Sequence, residues 1–204
     1  MCVLYPRSIN KEYKRSIPHK NRGMKLENLI NLSNEYYIEN DIAIIYKKPT
    51  PILVCNVDYK KNKILEGYYK TPSTLDYNGI YKGKYIDFDA KETLNKTSFP
   101  LANLHKHQLE HMKKVINHGG ISFLIVKINN LYYLLDGLKI IDFINSNNRK
   151  SIPYNYIKNY GLEIKEGINP ALDYIKVIDN YYFKEEVWKR LLILKKVILI
   201  KIKR

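Results

Sequence analysis

The strongest constraint on the fold lies in residues 73–93, where apolar and charged side chains alternate strictly along one segment. Every second residue is apolar, namely Ile86, Phe88 and Ala90. The residues between and after them are charged, namely Asp87, Asp89 and Lys91. Successive side chains of a β-strand point to opposite faces, so this period of two predicts a strand. A half-buried strand normally turns its charged face to water, so we expect an outer face that carries two acids and a lysine in register.

A further acid, Asp76, lies thirteen residues before Asp89 and just before a predicted turn at residues 77–79. This spacing predicts that Asp76 and Asp89 lie on neighbouring strands. Hard divalent cations prefer carboxylate oxygens, and phosphodiester cleavage needs such a cation beside a positive charge and a water molecule. Any one of these charged residues would be an ordinary solvated side chain, but the set predicts a nuclease site. Asp76 and Asp89 would bind Mg²⁺, or Mn²⁺ as a substitute, while Lys91 would stabilise charge on the phosphate.

Two neutral residues extend this candidate site. Thr74 precedes Asp76 by two positions and permits a further hydroxyl or carbonyl ligand. A helix is predicted over residues 101–118, and Gln108 lies in the middle of its apolar stripe. A polar side chain directed inward needs a buried partner. We therefore expect Gln108 to complete the metal shell through its amide oxygen or a water molecule.

The order of predicted elements indicates an α/β fold with a mixed central β-sheet flanked by helices. A helix is predicted near residues 21–40, and two β-rich runs flank Pro49 and Pro51, which mark a bend or an edge. Residues 121–128 form a continuous apolar run, which is typical of a central buried strand.

Four parts of the chain are distinguished by composition. Residues 1–20 are predicted to be a mobile basic arm, and residues 21–179 a nuclease domain. Within that domain, residues 56–70 are polar, basic and aromatic, which fits either a projecting hairpin or a plain surface hairpin. Residues 180–204 form a basic-apolar extension, which fits a packed terminal helix, a dimer contact or an amphipathic surface helix.

The charge of the chain favours a polyanionic partner. There are 35 Lys and Arg residues against 20 Asp and Glu, a net charge of +15. AT-biased coding would also enrich Lys, together with Ile, Asn and Tyr, so charge alone does not establish nucleic-acid binding. Cys2 and Cys55 form no metal or disulfide pattern. With no signal peptide or transmembrane segment expected, we predict a cytoplasmic protein without a membrane partner.

Six segments together carry a resemblance to a known family: "NRGMKLENLIN", "KKPTPI", "STLDYNGIYKGKYIDFDAKET", "FPLANLHKHQLEHM", "GGISFLIV" and "RKSIP". From about residue 21 to 179, the chain resembles the RecU-type Holliday junction resolvases of the PD-(D/E)xK nuclease superfamily. The resemblance implies a restriction-endonuclease-like core and cleavage of four-way DNA junctions, leaving 5′-phosphate and 3′-hydroxyl ends. It also implies a ligand set and a transition-state stabiliser, namely Thr74, Asp76, Asp89 and Gln108 for the metal and Lys91 for the phosphate.

The resemblance further implies a homodimer with a stalk that enters the junction, at residues 56–70. Basic and aromatic residues of this segment would contact DNA, namely Lys60, Lys61, Lys63, Tyr68 and Tyr69. The two tyrosines would stack on unpaired bases, or else be half-buried strand residues. A recombinase filament and a branch-migration helicase are the protein partners that the family implies.

One position departs from the family, which usually has Glu where this chain has Asp89. The shorter side chain would bring the metal closer to the strand or favour Mn²⁺. The alternative function is therefore a non-catalytic junction-binding accessory protein with a weakened metal site. A restriction-like duplex endonuclease is a third interpretation, but no element dedicated to reading base sequence is visible.

Several other polar residues allow two interpretations. Glu27 lies on the first predicted helix, where it would be either near the metal or in solvent. Arg22, Arg149 and Lys150 would contact phosphates or lie on the solvated surface. Three histidines have a helical spacing but no accompanying cysteines, so DNA contact or plain surface is favoured over zinc: His105, His107 and His111.

Overall fold

The computed structural model describes residues 25–70 and 74–184 of the chain. Its strands are β1 Ile44–Lys47, β2 Ile52–Asp58, β3 Lys63–Tyr69, β4 Tyr77–Tyr81, β5 Lys84–Glu92, β6 Ser98–Pro100, β7 Ile121–Ile128, β8 Leu131–Asp136, β9 Ser151–Pro153 and β10 Leu162–Ile164. Its helices are α1 Leu26–Glu39, α2 Lys106–Asn117, α3 Gly137–Ser146, α4 Tyr154–Tyr160 and α5 Tyr174–Ile178. A 3₁₀ turn spans Leu101–Asn103, and a π-helical turn spans Asp179–Phe183.

A six-stranded mixed sheet forms the centre of the fold, in the order β1-β4-β5-β7-β8-β10. The β5–β7 pair is parallel and the other pairs are antiparallel. Two separate hydrophobic cores contain α1 with α5 and α2 with α3, so helices flank the sheet. The predicted mixed sheet with flanking helices is thus confirmed, and so is the buried strand at residues 121–128.

The predicted exposure of the charged face of β5 is wrong. Asp87 and Asp89 are fully buried, with 0% of each residue exposed. Their face of the sheet is the one against which α2 packs, while Ile86 and Phe88 enter the opposite core. Buried carboxylates need partners, so burial turns this face from a solvated surface into a polar site.

The predicted turn at residues 77–79 is also wrong, because these residues belong to β4. Gly79 lies so close to β1 that a Cβ atom there would be 2.0 Å from the carbonyl oxygen of Ile44. The glycine is therefore required by strand pairing. The actual turn follows at Lys82 and Gly83, which have positive φ angles of 47° and 74°.

Two predicted boundaries need correction. The helix predicted over residues 101–118 begins only at Lys106, because Leu104 adopts an extended conformation after the 3₁₀ turn. The hairpin predicted over residues 56–70 begins earlier, at Ile52, since β2 and β3 form a two-stranded sheet that starts with the pair Ile52–Tyr69 and has register shifts near Asn56. Side chains of both strands are largely exposed, including the apolar residues at the start of β2.

Some predictions fall outside the described residues, namely the basic arm at 1–20, Arg22 and the extension beyond residue 184. The predicted extension begins at residue 180, and its first residues lie in the π-helical turn Asp179–Phe183, which continues from α5. Within the described ranges, no helix is both long and apolar enough to cross a membrane.

Candidate metal centre

Asp89 is the centre of the candidate site and lies near the end of β5. Its Oδ2 accepts hydrogen bonds from the Lys91 ammonium at 3.0 Å and from Gln108 Nε2 at 2.6 Å. Its Oδ1 accepts from the backbone N–H of Ala90 at 2.7 Å. Lys91 returns to the same face because it lies two positions along the strand. The predicted convergence of Asp89, Lys91 and Gln108 is confirmed.

Asp76 lies beside Asp89 because β4 and β5 are antiparallel, with Tyr77 opposite Phe88. The Asp76 carboxylate is close enough to act on the pKa of Asp89. Burial raises the pKa of Asp89 to about 6, Lys91 partly opposes this shift, and the negative charge of Asp76 reinforces it. Two adjacent carboxylates in a partly desolvated place form the donor set that a hard divalent cation takes.

Gln108 reaches this site from α2, as its position in the apolar stripe predicts. Its Nε2 donates to Asp89, whereas its Oε1 accepts a hydrogen bond from the backbone N–H of His105 at 3.0 Å and so caps the helix. Direct coordination through the oxygen would therefore require the amide to turn and release this cap. A bridging water molecule would leave the cap intact.

Thr74 and Asp76 belong to a short segment without strand pairing, residues 74–76, which leads into β4. Thr74 Oγ1 accepts a hydrogen bond from Lys48 Nζ at 3.0 Å. The backbone N–H of Lys48 donates to the carbonyl oxygen of Asp76 at 2.7 Å. The predicted locations of Thr74 and Asp76 on a strand are therefore wrong, and Lys48 contacts both residues.

The structure adds a buried cluster that the sequence-based prediction did not include. Both carboxylate oxygens of Asp87 accept hydrogen bonds from Lys48 Nζ, at 2.9 and 3.0 Å. Its Oδ2 also accepts a hydrogen bond from the Tyr85 hydroxyl at 2.9 Å. His111 Nε2 is 2.8 Å from the same Oδ2. Asp87 lies on the same face of β5 as Asp89, and this alternation is the sequence signal that could have identified it. Nothing local in the sequence connects it with Lys48, 39 residues earlier.

The three histidines do not assemble a zinc site. The rings of His105 and His107 stack with centroids 5.5 Å apart, while His111 contacts Asp87. In residues 25–70 and 74–184, no group of three or more His, Cys, Asp and Glu residues is arranged to hold a metal. His111 is therefore more than a plain surface residue, because its Nε2 is bonded to a buried acid, and its contact with DNA stays a prediction.

Glu27 lies on α1 with half of its side chain exposed, and it forms an ion pair with Lys47. The Tyr77 hydroxyl is 3.5 Å from the Glu27 backbone oxygen. Burial raises the pKa of Tyr77, and the charges of Glu27 and Asp76 reinforce this shift. The Glu27 carboxylate is therefore held by Lys47, and its role near the metal stays a prediction.

The predicted DNA-contact residues of the hairpin are exposed. Lys60 and Lys61 lie in the turn, where their backbone N–H groups donate to Asp58, and Lys63 begins β3. Tyr68 and Tyr69 of β3 are 59% and 84% exposed, so their interpretation as half-buried strand residues is wrong. Arg149 and Lys150 lie on the surface just before β9.

Comparisons with known proteins agree on one family. Residues 21–180 match the family model described as Recombination protein U. Proteins named Holliday junction resolvase RecU from Bacillus mycoides, Bacillus cereus and Bacillus anthracis are 48%, 49% and 49% identical to the chain over 201 residues. Each alignment covers 90% of this chain and the full length of the relative.

Proposed function

Because the chain belongs to the Recombination protein U family, we propose that it resolves four-way (Holliday) DNA junctions during homologous recombination and DNA repair. The activity would be a structure-selective endonuclease that makes paired nicks and leaves 5′-phosphate and 3′-hydroxyl ends. The protein would act in the cytoplasm, and its core would have a restriction-endonuclease-like fold. The observation that carries this proposal is the buried Asp89 carboxylate, held against Asp76 by Lys91 and Gln108.

The residues that would hold Mg²⁺ are Asp76 and Asp89 through their carboxylates, Thr74 through an oxygen, and Gln108 directly or through water. Bound there, the cation would supply Lewis acidity at the scissile phosphate and help to deprotonate the attacking water. Two carboxylates would balance a divalent charge, which favours Mg²⁺, or Mn²⁺ as a substitute, over softer metals.

Lys91 would act on the substrate. Its side chain is 22% exposed, so its ammonium reaches solvent while it contacts the fully buried Asp89. A positive group in this place would hold the attacking water in line with the phosphate and stabilise the negative charge that builds on it. The contact with Asp89 fixes the position of the ammonium before the substrate arrives.

The Asp at position 89 suits this role despite the Glu that is usual in the family. The shorter side chain still reaches Lys91, Gln108 and its neighbour's backbone N–H. Its three contacts hold the carboxylate in one place, so the missing methylene would change metal distance more than orientation. The site would therefore accept Mn²⁺ as a substitute for Mg²⁺.

DNA binding would depend on charge and on the β2–β3 hairpin. The net charge of +15 suits phosphate contacts that do not read sequence. The exposed Lys60, Lys61 and Lys63 would contact phosphates at the crossover, while Tyr68 and Tyr69 would stack on unpaired bases. A homodimer would bring two such sites to opposed strands of one junction.

Nicking of a labelled mobile four-way junction, compared with linear duplex of the same sequence, tests this function. Reactions contain Mg²⁺, Mn²⁺ or EDTA and use the wild-type protein, Asp76→Asn and Asp142→Asn, which removes an exposed carboxylate from α3. We expect paired, metal-dependent nicks on the junction with the wild type and Asp142→Asn alone. Resealing of the products by DNA ligase would identify 5′-phosphate and 3′-hydroxyl ends.

Two outcomes would contradict this proposal in different ways. Tight junction binding without cleavage in either metal would support the non-catalytic accessory protein. Equal cleavage of linear duplex would support a duplex endonuclease instead.

A further inference from the structure

We propose that Lys48 and Asp87 are positioning residues that hold the ligand-bearing segments of the metal centre at a fixed separation. This inference rests on the proposed function, because it concerns the same metal site. Neither residue would touch the metal or the DNA. Lys48 would hold the segment 74–76, and Asp87 would connect Lys48 to α2.

Lys48 binds the segment 74–76 at both of its ends. Its backbone N–H donates to the carbonyl oxygen of Asp76 at 2.7 Å, and its ammonium donates to Thr74 Oγ1 at 3.0 Å. Between them, Leu75 is fully buried in the core that contains Met112 of α2. The contacts of Lys48 therefore hold both ligand residues of the segment, Thr74 and Asp76.

The ammonium of Lys48 has no donor left for a substrate. A lysine ammonium carries three N–H donors, and three acceptors surround this one: Thr74 Oγ1 and both oxygens of Asp87. The side chain is 18% exposed, against 0% for Asp87. A phosphate contact would have to break a largely buried ion pair and leave the Asp87 carboxylate uncompensated, which is costly.

Both oxygens of Asp87 are already bound by protein donors. Lys48 occupies both oxygens, and Oδ2 also accepts from the Tyr85 hydroxyl. The carboxylate can only accept, so His111 donates to it through Nε2–H at 2.8 Å. His111 lies on α2, one helical turn from the proposed ligand Gln108. Asp87 therefore connects Lys48, which follows β1, to α2.

Two chains of contacts therefore run side by side across the site. One passes from Asp76 through Asp89 to Gln108 and would contain the metal. The other passes from Lys48 through Asp87 to His111 and contains only protein atoms. Outer partners of metal ligands typically change metal affinity or activity by about 10–100-fold when removed.

Calorimetric titration of the full chain with Mn²⁺, without DNA, tests this inference. The variants are Lys48→Met and Asp87→Asn, with Lys82→Met as the matched control. Lys82 also pairs with an aspartate, Asp179, but this pair is exposed and Lys82 lies in the β4–β5 turn. We expect Mn²⁺ affinity to fall about 10–100-fold in the two test variants and to stay unchanged in the control.

A double variant separates positioning from a general loss of stability. Removing one partner of a buried pair is strongly destabilising, whereas replacing both with apolar residues is often tolerated. Lys48→Met with Asp87→Leu should therefore recover the melting temperature but not the Mn²⁺ affinity. Recovery of both would overturn the inference, as would wild-type Mn²⁺ affinity in the single variants.

Junction affinity in EDTA provides the second readout. It should be unchanged in Lys48→Met, and weaker junction binding with normal Mn²⁺ affinity would instead make Lys48 a DNA contact and overturn the inference. Wild-type protein that binds Mn²⁺ but cuts no junction would contradict the proposed function and leave the positioning role intact. Wild-type protein that binds no Mn²⁺ would overturn both.

Discussion

The ammonium of Lys91 lies 3.0 Å from Oδ2 of Asp89, although both residues belong to one strand and are two positions apart. The pair is asymmetric, because Asp89 is fully buried while the Lys91 side chain is 22% exposed. This arrangement gives the buried acid a counter-charge and keeps the cation at the surface of the site. We therefore expect Lys91 to matter for catalysis and Asp89 to matter for both metal binding and stability.

Replacing Lys91 by Ala should abolish detectable junction cleavage while junction binding survives. Loss of one positioned electrostatic group typically slows a reaction by about 10²–10³-fold. Single-turnover rates on a labelled junction at saturating Mg²⁺ measure the effect, and gel mobility shift in EDTA measures binding. Lys127→Ala, which removes a lysine paired with Glu92 on the adjacent strand, is the control and should cleave normally. Cleavage at the wild-type rate would remove Lys91 from the mechanism.

Metal should stabilise the folded protein through Asp76. A ligand at about 100 times its Kd stabilises the native state by about 2.7 kcal/mol, so the wild type should melt at a higher temperature in Mg²⁺ or Mn²⁺ than in EDTA. Asp76→Asn should lose most of this increase, and Asp142→Asn should keep it. Thermal unfolding by circular dichroism gives the comparison, and an equal increase in all three proteins would place the metal elsewhere.

Asp89 should make the metal-free protein less stable as pH rises. Burial raises its pKa from 3.8 to about 6, so between these values the folded state binds more protons than the unfolded state. Stability contributed by the protonated form is present below about pH 4 and is lost as pH rises through about 6. In EDTA at pH 7.5, Asp89→Asn should therefore be more stable than the wild type by about 1–3 kcal/mol.

Chemical denaturation at pH 7.5 and pH 4 measures this difference. The advantage of Asp89→Asn should largely disappear at pH 4, because Asp89 is then protonated in the folded protein. Asp142→Asn, an exposed acid, should show no such dependence. A variant less stable than the wild type at pH 7.5 would mean that the contacts with Lys91 and Gln108 outweigh the cost of burying the charge.

The hairpin lysines should supply a salt-dependent part of junction affinity. Changing Lys60, Lys61 and Lys63 to Ala should weaken binding and reduce the slope of log K against log salt concentration by about 0.9 for each phosphate that is no longer neutralised. A charge-matched control removes three exposed lysines from the other end of the described chain: Lys158, Lys165 and Lys176. Equal effects in both triple variants would show that only net charge matters and that the hairpin has no special role.

Local patterns predicted the parts of the site that depend on one segment at a time. The period of two in β5 correctly put Asp89 and Lys91 on one face, because alternation is a property of any strand. The apolar stripe of α2 correctly directed Gln108 inward. The turn at residues 77–79 was wrong because Asn and Gly commonly form turns, whereas here the close approach of β1 is what requires Gly79.

The sequence by itself therefore determined the strands, the acids on them and the family to which the chain belongs. Only the tertiary structure decided that Asp87 and Asp89 are buried, because that depends on which face α2 covers. Likewise, the pairing of Lys48 with Asp87 joins residues 39 positions apart and leaves no trace in local periodicity. Long-range packing determines the partner of each buried charge. These partners distinguish the proposed metal ligands from the residues proposed to hold them in position.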